Sequence, residues 1–190
     1  NLSVNKDVLD AMFRQPNNIL TKPYASLTIP GTINAIDYDM GLQGYSYSDT
    51  EYQNTGGGNW NLGWAGRNDG VDMQWSAAEN KFTMGWTNRS EWVKYTLRCN
   101  ATKQYQFQLR YASGASTTDT VNLEMDGVLI CSFVVGNTGG WDTWKNTALS
   151  AKTTVTYGAH SLVVKFKSGN VNLSSIVSTV GVQTQSIPLE

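Results

Sequence analysis

The sequence predicts an all-β fold, a β-sandwich of two antiparallel sheets, and three observations support this. Charged residues make up only 15% of the 190, whereas glycine (18), tryptophan (7) and tyrosine (9) are abundant, a profile typical of extracellular all-β domains. Short segments alternate apolar and polar residues, with turn-forming residues between them. Helical periodicity is almost absent, so we expect stacked antiparallel sheets.

Four segments show the alternation expected of strands with one buried and one wet face: 93–99, 105–113, 121–135 and 161–167. In the first segment, the residues that should face inward are Val93, Tyr95, Leu97 and Cys99. In the second they are Tyr105, Phe107, Leu109 and Tyr111. The third contains Asp126-Gly127, a dipeptide that favours a tight hairpin turn. These segments therefore predict antiparallel strands.

The chain is long enough for one domain with tails. Residues 1–28 lack a strand pattern and are predicted to be a linker or the tail of an upstream module, 29–182 the β-sandwich, and 183–190 a C-terminal tail. The segment 51–70 is a long loop rich in glycine and asparagine, with Trp60 and Trp64. Long loops on a rigid sandwich are frequent functional positions.

Charge and hydropathy exclude several classes of partner. Basic and acidic residues number 14 and 15 without a basic run, so we expect neither nucleic-acid nor membrane binding. No apolar stretch reaches the roughly 20 residues of a membrane span. We expect a monomeric, extracellular protein.

Cys99 and Cys131 both fall on inward strand faces, which leaves two free thiols and one disulfide equally open.

The residues needed for catalysis are scarce. The single histidine, His160, precedes an alternating strand and has no second histidine near it, so a structural role is expected. A glycosidase needs two carboxylates flanking the sugar bond. The sequence marks out no pair among the candidate carboxylates, which are Asp49, Glu51, Asp72, Glu91, Glu124, Asp126 and Asp142. We therefore expect neither an enzyme nor a catalytic cofactor.

Tryptophans without catalytic acids suit carbohydrate binding, because the C–H face of a pyranose stacks on an indole. In "NTGGWDTWKNT", Trp141 and Trp144 are three apart and should point to opposite faces of a strand. Lys145 belongs outside, which assigns Trp144 to the core and Trp141 to the exposed edge. Trp86 ends a strand before a turn, and Trp92, which begins the next, also falls outside the inward set.

The order of several motifs resembles family 6 carbohydrate-binding modules over roughly residues 29–180. The motifs are "IPGTINAIDYD", "GYSYSDT", "NDGVDMQ", "GWTNRSEWVKYT", "YQFQLRYAS", "MDGV", "TGGWDTW", "YGAHSLVVKF" and "GNVNLSS". The resemblance implies a lectin-like β-jelly roll that binds polysaccharide without catalysis. It also implies covalent attachment to a secreted bacterial glycoside hydrolase.

The resemblance further implies a sugar site in the loops at one end of the sandwich. Trp86 and Trp141 match the two aromatic residues that clamp a sugar, and Asn172 matches the asparagine that bonds its hydroxyls. Gln74, with Asp72 beside it, matches an assisting polar residue. No comparable set of matches marks the second site that some members have on the concave sheet face.

The family commonly binds a structural calcium near the first strand, and here the sequence departs from that pattern. Asn34 and Ile36 stand in place of two acids, so the usual site looks degraded. Asp37, Asp39 and Asp49 are candidates for a displaced calcium site.

Our leading hypothesis is a non-catalytic module for a β-linked polysaccharide. Two alternatives stay open: a catalytic all-β glycan hydrolase or lyase, and a structural spacer domain that has lost sugar binding. The sequence does not select the glycan, because xylan, β-1,3-glucan, mixed-linkage glucan, agarose and cellulose are all bound by similar modules.

Overall fold

The computed structural model describes residues 19–51, 66–67 and 69–182, together with Lys6, Leu9 and Met12. Thirteen strands lie in this described part: β1 (Leu27–Ile29), β2 (Gly31–Asn34), β3 (Tyr47–Ser48), β4 (Met73–Ser76), β5 (Lys81–Met84), β6 (Trp92–Cys99), β7 (Lys103–Ser113), β8 (Asp119–Met125), β9 (Val128–Val135), β10 (Gly140–Asn146), β11 (Thr153–Val155), β12 (Gly158–Phe166) and β13 (Asn172–Val180). The fold is all-β, as predicted.

Two sheets form the sandwich. The first has the order β1-β6-β12-β8-β9, with β3 also paired to β6. The second has the order β10-β7-β13-β5-β4, with β11 paired to β7 and β2 to β13. Nearly all neighbours are antiparallel, and β1 with β6 is a parallel pair. Neighbours that are distant in the chain, such as β7 and β13, bring loops from separate segments to the same end of the sandwich.

The core lies between the sheets and follows the predicted alternation. Val93, Tyr95, Leu97 and Cys99 are all buried, while the residues between them are more exposed. In β7, Tyr105, Phe107 and Leu109 are fully buried, whereas Tyr111 is half-buried at the edge of the core. Burial of such side chains contributes about 1.5–3 kcal/mol each, which is why the alternation is reliable.

The predicted hairpin at Asp126-Gly127 is confirmed. It joins β8 to β9, and both residues have positive φ, 52° and 81°. This is the backbone signature of a type I′ turn, whose twist matches that of the flanking strands.

Cys99 and Cys131 are free thiols. Burial raises the pKa of Cys131 to about 12.

The assignment of Trp144 to the core was wrong. Gly140 pairs with Ser113 and Lys145 with Tyr111, so β10 advances five residues while β7 advances two. This bulge breaks the period-2 alternation on which the prediction rested. Trp144 is half-buried, and its indole N–H donates to Ser76 and Asp142 instead of packing in the core.

The strands begin slightly earlier than the predicted boundary. Leu27 opens β1, and Lys22 pairs with Met40, so part of the predicted tail contacts the sandwich. Residues 52–65, which include Trp60 and Trp64, and the predicted tail 183–190 lie outside the described residues. Within the described residues, no helix is long and apolar enough to span a membrane.

Candidate functional site

A cleft of about 530 Å³ lies among the loops at one end of the sandwich. Its walls come from five separate segments: the loop after β3, strand β4, the β5–β6 turn, the start of β10, and the β12–β13 turn with the first residue of β13. The lining residues are Glu51, Gln74, Trp86, Thr87, Asn88, Trp141, Asn170 and Asn172. Four of the five residues predicted from sequence therefore lie in one cavity, of the size typical of small-ligand sites.

Trp86 follows β5 in the left-handed backbone region, with φ of 46°. Its neighbour Thr87 exchanges two hydrogen bonds with Val171, one from its hydroxyl to the carbonyl (2.8 Å) and one from the Val171 N–H (3.0 Å). The Asn170 N–H donates to the Thr87 carbonyl, and Gly169 packs so closely that a Cβ there would lie 2.4 Å from that oxygen. The β12–β13 turn thus fixes the backbone that carries Trp86.

Trp141 also lines the cleft and remains 49% exposed, as predicted. Its ring packs over Gly114, where an added Cβ would lie 2.8 Å from the indole nitrogen. The preceding turn is held by Thr138, whose hydroxyl donates to the Ser113 carbonyl. The half-exposed indole is therefore backed by Gly114 and lines the cleft.

Asn172 opens β13 at the base of the cleft and is only 9% exposed. Its Nδ2 donates to the Trp141 carbonyl over 2.7 Å, and a Cβ at Gly85 would lie 2.9 Å from its Oδ1. An amide carries two donors and a carbonyl with two lone pairs. One N–H of Asn172 positions the Trp141 backbone, and its remaining N–H and carbonyl can serve a ligand.

Four more polar side chains complete the walls, Glu51, Thr87, Asn88 and Asn170, and sequence reasoning did not assign them to the site. Glu51 was counted only as a candidate acid, and Asn88 and Asn170 lie within the quoted motifs "GWTNRSEWVKYT" and "GNVNLSS" without having been given a role in the site. Only the position of Asn170 two residues before Asn172 hinted at its role. Together with Gln74 they place amides and one carboxylate around the two indoles.

Asp72 does not line the cleft, which differs from the expectation. It is 1% exposed, and neither carboxylate oxygen has a hydrogen-bond partner. Burial, and then the negative charges of Asp49, Glu91 and Glu51, raises the pKa of Asp72 to about 8. Burial and the charge of Glu91 likewise raise the pKa of Asp49 to about 7. Asp72 thus belongs to a buried acidic cluster, not to the surface that a ligand would touch.

The arrangement does not supply the parts of a glycosidase. Glu51 is the one carboxylate among the described lining residues, whereas hydrolysis requires two acids flanking the bond. His160 bonds Asp126 through Nδ1 (2.6 Å) and the Thr156 carbonyl through Nε2 (2.8 Å), and it does not line the cleft. Its role is structural.

The residues at the expected calcium position do not fit the ion. The side-chain Oδ1 of Asn34 accepts a hydrogen bond from the Lys81 ammonium (3.0 Å), and the side-chain Nδ2 of Asn34 donates to the Asp37 carboxylate (3.0 Å). The Asp39 carboxylate is occupied by the N–H and hydroxyl of Thr96. Across the described part of the chain, no group of three or more histidine, cysteine or acidic side chains is placed to hold a metal.

Comparison with known proteins links this geometry to a family. Residues 63–179, more than half of the chain, match the family model described as "Carbohydrate binding module (family 6)". In a cycloisomaltooligosaccharide glucanotransferase from Niallia circulans, 87 residues align at 30% identity. The match covers 44% of this chain and 9% of the transferase, so the chain corresponds to a small part of that protein.

Two solved structures share the fold at low sequence identity. A family 6 module from Clostridium stercorarium, solved with cellobiose, aligns with a TM-score of 0.59 at 18% identity, over 83% of this chain and 98% of that one. A β-1,3-glucan-binding family 6 module from Bacillus halodurans aligns with a TM-score of 0.58 at 18% identity, over 82% of this chain and 100% of that one.

Proposed function

The chain belongs to family 6 of the carbohydrate-binding modules and is itself non-catalytic, and from this premise we propose that it binds a β-linked glucan in the loop-end cleft. Trp86 and Trp141 act as stacking surfaces for the C–H faces of a sugar. Asn172 and Gln74 bond the sugar hydroxyls. The observation that carries the proposal is the convergence of two indoles and several amides on one cavity.

The chemistry of the lining supports a neutral sugar. A pyranose has an apolar C–H face and a rim of hydroxyls that both donate and accept, which matches indoles surrounded by amides. Glu51 is the single charged residue among the described lining residues, and its carboxylate can accept from two hydroxyls. An anionic sugar would meet this charge without a compensating cation, so uronates and sulfated sugars should bind poorly.

The choice of a β-glucan draws on the similar modules, one solved with cellobiose and one described as binding β-1,3-glucan. Affinity should be modest, in the micromolar to millimolar range or roughly −4 to −8 kcal/mol, because sugar hydroxyls exchange water contacts for similar protein contacts. A place within a larger extracellular glycan-active enzyme is supported by the transferase, of which the aligned part is a small fraction.

A glycan microarray with the purified module tests the proposal. We expect binding to neutral β-glucans and little binding to uronate-rich or sulfated glycans. Retention of the strongest binders is then measured by affinity electrophoresis. A module that binds no glycan in either assay would instead be the structural spacer domain, and release of reducing sugar from a bound glycan would indicate the hydrolase.

A further inference from the structure

Glu91 joins two walls of the cleft from beneath. Its side chain is buried, with the residue 4% exposed, at the end of the β5–β6 turn. Oε1 accepts from both the N–H (2.8 Å) and the hydroxyl (2.5 Å) of Thr50. Oε2 accepts from the N–H of Asn88 (2.7 Å). One carboxylate therefore bonds the loop that carries Glu51 and the turn that carries Trp86 and Asn88.

The backbone of Glu91 is anchored as firmly as its side chain. The Phe166 N–H donates to the Glu91 carbonyl (2.9 Å), and the Ser90 N–H donates to the Phe166 carbonyl (2.8 Å). The backbone of Glu91 is thus held by β12, the neighbour of β6 in the first sheet. Hydrogen bonds to a charged acceptor are about twice as strong as neutral ones, and burial shields them from competing water.

We propose that Glu91 is the positioning residue of the cleft: its buried carboxylate holds the Glu51 wall and the Trp86 wall at the spacing that a sugar requires. This inference rests on the proposed function of the cleft. Glu91 does not line the cavity, so it acts through Thr50 and Asn88. Preorganised walls bind more tightly because ordering them costs nothing at the moment of binding.

The neighbouring acids make this arrangement sensitive to pH. The negative charges of Asp49, Glu91 and Glu51 raise the pKa of Asp72. Those of Glu91 and Glu51 raise the pKa of Asp49. None of the charges acting on them is positive. With a pKa of about 8, Asp72 is mostly protonated at neutral pH, whereas Asp49, with a pKa of about 7, is about half protonated there. Their ionisation at higher pH adds repulsion around Glu91, and sugar affinity should fall as pH rises through 8.

The test compares substitutions that remove single hydrogen bonds. Glu91→Gln keeps an oxygen that can accept from Thr50. It replaces the second oxygen with an NH₂ group, which cannot accept the hydrogen bond from the Asn88 N–H. Thr50→Val removes the hydroxyl that donates to Glu91, at an exposed position, whereas Thr50→Ser keeps this hydroxyl. Glu124→Gln, a carboxylate paired with Lys165 away from the cleft, is the control. Calorimetry with a bound β-glucan oligosaccharide and amide hydrogen exchange without sugar are measured for each, from pH 6 to 9.

We expect Glu91→Gln to weaken sugar binding about tenfold and Thr50→Val about threefold, the range that one lost hydrogen bond gives. Thr50→Ser and Glu124→Gln should bind as the wild type does. In the absence of sugar, the amides of Thr50 and Asn88 should exchange faster in Glu91→Gln while those of β6 and β12 keep their protection.

Unchanged exchange at Thr50 and Asn88 would overturn the positioning role whether or not a sugar is known. Equal affinity of Glu91→Gln and wild type would also overturn it. If Glu91→Gln fails to fold, Thr50→Val and Thr50→Ser decide, because a positioning role requires them to differ. Failure of the proposed function looks different: the wild type would bind no glycan while the exchange effect persisted.

Discussion

The Asn172 side-chain amide donates a 2.7 Å hydrogen bond to the Trp141 backbone carbonyl. These residues lie on different strands, β13 and β10, separated in the sheet by β7. The bond fixes the height of the exposed indole above the base of the cleft. The proposed recognition of the sugar face and of its hydroxyls is therefore coupled through one side chain.

Trp141→Ala should abolish retention by β-glucan in affinity electrophoresis. Removal of a buried aromatic contact at the centre of an interface typically costs about 2 kcal/mol or more, which is at least about 30-fold in affinity. Trp75→Ala is a matched control, since Trp75 is 51% exposed against 49% for Trp141 and does not line the cleft. Equal retention of the two variants would refute the assignment of Trp141.

Asn172→Ala should weaken sugar binding more than loss of a single sugar contact would, because it also frees the Trp141 backbone. We expect about a tenfold loss or more by calorimetry. Asn100→Ala, an exposed asparagine after β6 and outside the cleft, should bind normally. If Asn172→Ala binds sugar like Asn100→Ala, the coupling between Asn172 and Trp141 has no role in binding.

Gly169→Ala should lower both stability and sugar affinity. Its φ is 90° and the new Cβ would lie 2.4 Å from the Thr87 carbonyl, so the turn that holds Trp86 must shift. Gly127→Ala is the control that separates backbone strain from close packing. Its φ is also positive, at 81°, but nothing lies within 4 Å of the added Cβ. Thermal unfolding should show a larger loss for Gly169→Ala, and only that variant should lose affinity. Equal losses would mean that close packing at Gly169 is unimportant.

Asp72→Asn should raise the melting temperature at pH 8 and flatten its pH dependence. The folded-state pKa of Asp72 is raised from 3.8 to about 8, so the folded state holds a proton that the unfolded chain releases. The contribution of Asp72 to the free energy of unfolding is therefore most favourable below about pH 4 and is lost as the pH rises to 8. Thermal unfolding from pH 4 to 9 measures the effect. Parallel curves of melting temperature against pH for the wild type and the variant would contradict this prediction.

His160→Gln should destabilise the protein most between about pH 4 and the raised pKa of His160. Burial opposes protonation of His160, but hydrogen bonds with Asp126 and Thr156 outweigh it and raise the pKa, while that of Asp126 is lowered. The pair's stability is lost above the His160 pKa and below that of Asp126. Urea unfolding at pH 5.5 and pH 9 should show a larger difference at pH 5.5, and sugar binding should be unchanged.

Much of the fold could be predicted because the information is local. Alternation with period 2 specifies which side chains of β6 and β7 face the core, and Asp126-Gly127 specifies a hairpin within four residues. The motifs that resemble the family also pointed to four residues that line one cleft. Where the alternation is interrupted, as in the bulge of β10, the same reasoning failed for Trp144.

The sequence by itself determined the sandwich, its inward faces and the exposed position of Trp141. Only the tertiary structure decided that Glu51, Asn88 and Asn170 share the cleft, that Asp72 lies beneath it, and that Glu91 joins its walls. The physical reason is the range of the interactions. Burial alternates from one residue to the next. The meeting of segments as distant in the chain as Glu51 and Asn172, 121 residues apart, depends instead on strand pairings such as β7 with β13.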